Sequence, residues 1–292
     1  MQPKLIHKYQ LINGVKIHWV EGGKPSESPP LVLLHGLADS HLTWLKIVST
    51  LTQERQVIIP DLPGHGLSDR PDASYTLEWY SKVMTDWLTT IELNTVDIAG
   101  HSFGGGVAQF MLLTCRERIR RLCLIAAGGL GREISIAIRL ASIPFIVENM
   151  GQPFMQIGTK IALRIARDGR TIQDIAAISE MNAREGSARA FARTVRDLMS
   201  LHGQRYKFQE RVDEISELPP IRIFWGNNDK VIPVAHGISL VKEFEGIRLV
   251  QFNDCGHYLH HQQPEKLAKV LQGFLNEPTP PIIRRTVNIF QN

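Results

Sequence analysis

Five residues, Gly100-His101-Ser102-Phe103-Gly104, constrain this chain more than any others. They read Gly-x-Ser-x-Gly, a weak pattern alone. Its setting makes it specific. Thr95-Val96-Asp97-Ile98-Ala99 precedes it as a short β-branched run, and Gly105 to Leu113 follows as a helix. Strand, sharp turn and helix are what a nucleophile elbow requires. The serine sits at the apex of a strained backbone, and small neighbours leave room for it.

A serine hydroxyl is a poor nucleophile until a base takes its proton. Such a chain must therefore supply a histidine and an acid to orient it. Ile221 to Gly226 reads as a strand, with Asn227-Asn228-Asp229 in the loop after it. Ile247 to Phe252 reads as another, running into Asn253-Asp254-Cys255-Gly256-His257. Asp229 and His257 thus fall just past strand ends, where sites form in open parallel sheets. Among 11 histidines, His260 and His261 read as exposed residues approaching a helix that starts at Pro264-Glu265. Asp254 lies too near His257 in the same loop to brace it. No carboxylate follows the strand Arg121 to Ala127, which leaves Asp229. An oxyanion hole needs two backbone N–H groups. Phe103 follows the nucleophile and supplies one. Leu37, after the run Leu31 to Leu34 and the pair His35-Gly36, supplies the other. His35 reads as a structural loop residue.

With these residues in place, the chain resembles the α/β-hydrolase superfamily over nearly its whole length. Asp61-Leu62-Pro63-Gly64-His65-Gly66-Leu67-Ser68 resembles the loop after that family's fourth strand. His35-Gly36 resembles its oxyanion turn, and Gly226-Asn227-Asn228-Asp229 its acid loop. The resemblance implies an α/β fold: a mostly parallel eight-stranded sheet, helices on both faces, and a helical cap inserted late in the sheet. Haloalkane dehalogenases and epoxide hydrolases of the superfamily carry aspartate where this chain has Ser102, which argues against both activities.

Local patterns agree. Lys8 to Ile12 and Val15 to Val20 read as a hairpin around Asn13-Gly14. Strands and helices then alternate: Leu31 to Leu34, His41 to Gln53, Val57 to Pro60, Thr76 to Leu93 and the elbow. Such alternation implies a parallel sheet. It stops after Ala127. From Leu130 to about Leu218 only helical patterns are legible, at Ile134 to Ile143, Phe154 to Ala166, Ile172 to Ala183 and Ala188 to Ser200. The expected partition is core 1–129, cap 130–218, core 219–276 and tail 277–292. The apolar first half of the cap reads either as a face packed on the core or as the lining of an apolar acyl or aromatic pocket, and the two are compatible. Contact with a membrane, helped by Arg139, Lys160, Arg164 and Arg167, is a third reading. The tail begins with Pro278, Pro280 and Pro281 and then carries the apolar residues Ile282, Ile283, Val287, Ile289 and Phe290. Disorder, folding back and pairing with another subunit all stay open.

Hydrophobic content of 43% and charged content of 21% are those of a soluble globular protein. Net charge is only +4. Arg116, Arg118, Arg120 and Arg121 cluster where a solvated end of the elbow helix is expected, and no nucleic-acid motif accompanies them. Cys115, Cys123 and Cys255 form no C-x-x-C pair, which reads as reduced thiols and a cytoplasmic setting. Cys255 reads as a space-filler. No zinc-type spacing is present, and neither metal nor cofactor is expected. The expected activity is hydrolysis of a small carboxylic ester by Ser102, His257 and Asp229. Carbon–carbon hydrolysis of a ring-cleavage diketone is the alternative, although those enzymes usually continue the oxyanion turn with Gly-Pro, where this chain has Leu37-Ala38-Asp39-Ser40. Perhydrolysis and a non-catalytic ligand-binding role are the others.

Overall fold

Asn13 and Gly14 both take positive φ, 50° and 83°. That turn geometry matches the twist of paired strands, and it joins β1 (Ile6–Ile12) to β2 (Val15–Gly22) with Ile12 opposite Val15. The computed structural model describes residues 4–136, 144–166, 169–278 and 280–286. Six further strands complete the sheet: β3 (Leu31–Leu34), β4 (Val57–Pro60), β5 (Val96–His101), β6 (Ile119–Ile125), β7 (Ile221–Gly226) and β8 (Arg248–Phe252). Their order is β1-β2-β4-β3-β5-β6-β7-β8. β2 runs antiparallel to both neighbours, and every other pairing is parallel.

All four residues of β3 are fully buried. Successive side chains of a strand point to opposite faces, so both faces of the sheet are covered. The covering helices are α1 (Leu45–Leu51), α2 (Leu77–Thr90) and α3 (Phe103–Cys115) before the insertion. α2 starts at Thr76, whose side chain accepts from the Trp79 N–H, and buries Tyr80, Met84, Trp87 and Leu88 along one stripe. α2 packs on α3.

Between β6 and β7 lie α4 (Pro144–Met150), α5 (Met155–Ala166), α6 (Ile172–Asn182) and α7 (Ser187–Leu198). α4 packs on α7 and α5 on α6. The helix expected over 134–143 falls mostly outside the described residues. The insertion also holds a short antiparallel pair, Met199–Ser200 with Gly203–Gln204. Two residues per strand are too few to leave a periodic signal. Arg70 ties the insertion to the core, donating to Ser187 Oγ at 2.7 Å and to Met181 O at 2.8 Å.

After β7 come α8 (Ala235–Glu243), the single turn α9 (Leu259–Gln262) and α10 (Pro264–Leu275), which packs against α1. Arg284–Arg285 pairs with Phe244–Glu245, so the described part of the tail folds back on the body. The arginine cluster is not one solvated helix end. Arg120 and Arg121 lie on β6. Arg120 binds the buried Asp97 at 2.9 Å, which Arg55 also holds at 2.8 Å. Arg121 is buried and donates to Leu275 O and Glu277 O. Leu275 O is one of the orphan carbonyls that end α10, not α3. Among the described residues no helix is long and apolar enough to cross a membrane.

Candidate active site

β5 ends at His101, and α3 begins at Phe103. Ser102 makes the whole turn, at φ 53° and ψ −117°. A non-glycine residue there carries about 1–3 kcal/mol of backbone strain. Hydrogen bonds hold it in place: Ser102 N–H donates to Ile125 O, and Ser102 O accepts from Gly105 and Gly128, each at 3.0 Å. The turn closes only around glycine. A Cβ on Gly100 would lie 2.4 Å from Gly104 O, and one on Gly104 would lie 2.4 Å from Leu34 O. The serine is thereby set at the C-terminal edge of the sheet, half-buried.

β7 and β8 place the acid and the histidine on the same edge. Gly226 pairs with Phe252, and a Cβ on Gly226 would lie 2.2 Å from Gly256 O. The loops after the two strands therefore run backbone against backbone. Asp229 uses both carboxylate oxygens. Oδ1 accepts the N–H groups of Val231 and Ile232 at 2.8 and 3.0 Å, and Oδ2 meets His257 Nδ1 at 2.8 Å. Donation from Nδ1 leaves Nε2 of a neutral His257 with its lone pair. Asp254, exposed and at φ 53°, shapes the turn instead.

His101, the variable residue of the pentapeptide, ties these parts together. Its Nε2 donates to His257 O at 2.9 Å, and the two rings lie 4.8 Å apart. Burial holds its pKa well below the ordinary histidine value, with His257 adding to the effect, so the ring is neutral. Gly36 sits against it: a Cβ there would lie 3.1 Å from His101 Nδ1 and 3.5 Å from Ser102 Cβ. His35 is structural. Its Nδ1 donates to Gly36 O at 2.8 Å, and its Nε2 accepts the Leu62 N–H at 3.0 Å. Ala38 takes φ 55°, and its carbonyl accepts from Asn182 Nδ2 at 2.8 Å. The Leu37 loop is thus pinned from both sides.

His260 and His261 are buried, contrary to the exposed position expected of them. α9 turns them inward. Thr43 Oγ1 meets His260 Nε2 at 2.7 Å and His261 Nε2 at 3.1 Å. An imidazole is readily buried when a ring nitrogen finds a partner, and Thr43 lies too far away in sequence to be foreseen. Cys255 is buried as expected, its thiol pushed up to about 11 by burial. All three cysteines are free and buried.

Ser102, Phe103 and Leu37 line one cavity of about 60 Å³, together with Leu77, Gly106, Gly128, Gly129, Val231 and Ile232. Ile134, Leu198, Met199, Gln204 and Tyr206 close it from the insertion. Nothing in the sequence marks Gln204 or Tyr206. Gln204 Oε1 accepts the Gly129 N–H at 2.8 Å, and that link exists only in the fold.

Ligand atoms of His18, His41 and Asp61 lie within 4.8 Å of one another. They already hold one another. Asp61 meets His18 Nδ1 at 2.7 Å and His41 Nδ1 at 3.0 Å, and it accepts backbone N–H groups from His41 and Leu67 at 2.6 and 2.8 Å. Burial would push its carboxyl up, but His41 and the hydrogen bonds from both histidines hold it well below the usual carboxylate range. The set reads as a brace for the Asp61–Ser68 loop.

Comparison with known proteins agrees with this architecture. Residues 29–264 match the alpha/beta hydrolase fold family. An uncharacterized protein of Mycobacterium tuberculosis is 32% identical over 86% of this chain and 76% of its own length. The 2-hydroxymuconate semialdehyde hydrolase of Pseudomonas sp. (strain CF600) is 25% identical over 85% of this chain and 87% of its own. Among solved structures, Cfl2 of Burkholderia cenocepacia superposes with a TM-score of 0.78 at 21% identity, covering 94% of this chain and 99% of that one. The chain belongs to the α/β-hydrolase family.

Proposed function

We propose that this α/β-hydrolase is a serine hydrolase of small carboxylic esters, acting through an acyl-enzyme. The observation that carries the reading is the Asp229–His257 pair, on the same sheet edge as a strained serine that shares its cavity with Leu37 and Phe103. His257 Nε2 takes the Ser102 proton as Oγ bonds to the ester carbonyl carbon. The N–H groups of Leu37 and Phe103 hold the resulting oxyanion. The carbon–oxygen bond to the alcohol then breaks, and His257 returns its proton to the departing alkoxide. Water loses a proton to His257 and attacks the acyl carbonyl. The serine leaves as the acid forms, and it regains the proton. Asp229 holds the imidazole in the Nδ1–H tautomer and stabilises its cation. The chemistry needs no cofactor.

Residues 130–218 act in this reading as a cap, which excludes water and bounds the acyl pocket. The similarity to 2-hydroxymuconate semialdehyde hydrolase supports a second reading, carbon–carbon bond hydrolysis of a ring-cleavage diketone, which the Leu37-Ala38-Asp39-Ser40 turn disfavours. The test is labelling with a fluorophosphonate, read by intact mass and peptide mapping, followed by a p-nitrophenyl ester chain-length series. One adduct on Ser102 with ester turnover is expected, and the preferred chain length sizes the acyl pocket. No adduct on folded protein would point to a ligand-binding role, and turnover of a vinylogous diketone without esters would point to the second reading.

A further inference from the structure

α5 (Met155–Ala166) carries an exposed apolar stripe. Phe154, just before it, is 65% exposed, Ile157 59%, Ile161 54% and Ile165 74%. Spacings of three, four and four residues place all four on one face. Scattered exposed apolar residues are ordinary, whereas a continuous stripe marks a surface that meets something. The inner face of the same helix is committed elsewhere. Thr159 is buried and meets Asn182 Nδ2 at 3.3 Å, and Asn182 in turn reaches Ala38 O in the Leu37 loop.

Charge identifies the occupant. α5 contains no acidic residue, and its two charged residues are Lys160 and Arg164. Each stands three residues after an isoleucine of the stripe, Ile157 and Ile161. At about 100° per residue both bases run along one edge of the apolar face. Long basic side chains at that position reach toward headgroups while the isoleucines enter the acyl boundary. Ile172, the first residue of α6, is also 74% exposed.

We propose that the outer face of α5 docks this protein onto an anionic lipid bilayer, lying in the interface without spanning it. The helix that meets the lipid would then be the one whose opposite side holds the Leu37 loop through Asn182. The proposal rests on this surface alone and stands whatever the site hydrolyses.

Vesicle sedimentation tests it, with phosphatidylcholine vesicles with and without phosphatidylglycerol. The wild type is expected to bind the mixed vesicles far better than the neutral ones, with affinity falling as salt rises. Ile157→Glu/Ile161→Glu should abolish binding, and Lys160→Glu/Arg164→Glu should weaken it on the order of tenfold or more. Both pairs should keep the wild-type melting temperature and the turnover of a soluble short-chain ester. Wild type that ignores anionic vesicles, or an Ile157→Glu/Ile161→Glu protein that binds them as well as wild type, would overturn the proposal. So would a concentration-dependent dimer that the isoleucine substitutions dissociate, since the occupant would then be a second copy.

Discussion

Ser102 is held in a backbone conformation that only its neighbours' hydrogen bonds make tolerable. Ser102→Ala should therefore leave the fold intact while abolishing ester turnover; full activity in that protein would refute the proposed nucleophile. Ser102→Gly, equally inactive, should be the more stable of the two by about 1 kcal/mol, because glycine meets no Cβ penalty at positive φ. Chemical denaturation distinguishes them. Asp229 offers a second test. Its Oδ1 is fixed by two backbone N–H groups. In Asp229→Asn the amide oxygen must take that position, so the NH₂ group faces His257 Nδ1 and forces the wrong tautomer. Turnover should fall on the order of ten-thousandfold, as in a well-studied triad. Near-normal turnover would mean that another acid braces His257.

At the scale of elements, the site depends on how closely the strand-end loops approach one another. Gly226 closes β7 with no room for a methyl group beside Gly256 O. Gly226→Ala must push the loop carrying His257 away from Asp229. An overpacked contact of this kind costs about 1–3 kcal/mol, and turnover should drop although Gly226 does not line the cavity of Ser102. A thermal melt and kcat/KM on one ester check both halves; an unaltered protein would show that the loops can part freely.

For the molecule as a whole, buried histidines set the response to acid. Burial lowers the pKa of His35, His101, His260 and His261 from the ordinary 6.5, and that of His65 to about 3. In the unfolded chain all five protonate near pH 6.5. The unfolded state then binds more protons than the native one, so stability is complete above pH 6.5 and is lost as pH falls below it. Each group contributes a slope of up to about 1.4 kcal/mol per pH unit. Melting temperature should decline between pH 7 and pH 5 more steeply than one titrating group allows. A flat profile over that range would show that these rings ionise in place.

Local chemistry made much of this protein legible before any coordinates. The β-branched run, the pentapeptide and the helix that follows it define an elbow, because only glycines permit that turn. Asn13-Gly14 defines a hairpin, because both residues tolerate positive φ. Asp229 and His257 could be singled out because each follows a strand, and parallel strands carry their loops to one edge. The remainder arises between residues far apart in the chain and has no local signature. Thr43 buries His260 and His261 from more than 200 positions away. Arg121 serves the end of α10 rather than the helix just before it. Gln204 and Tyr206 line the same cavity as Ser102. Periodicity and turn chemistry act over a few residues and so determined the elements and their order; which polar groups are satisfied, and by whom, was decided only when packing brought distant segments together.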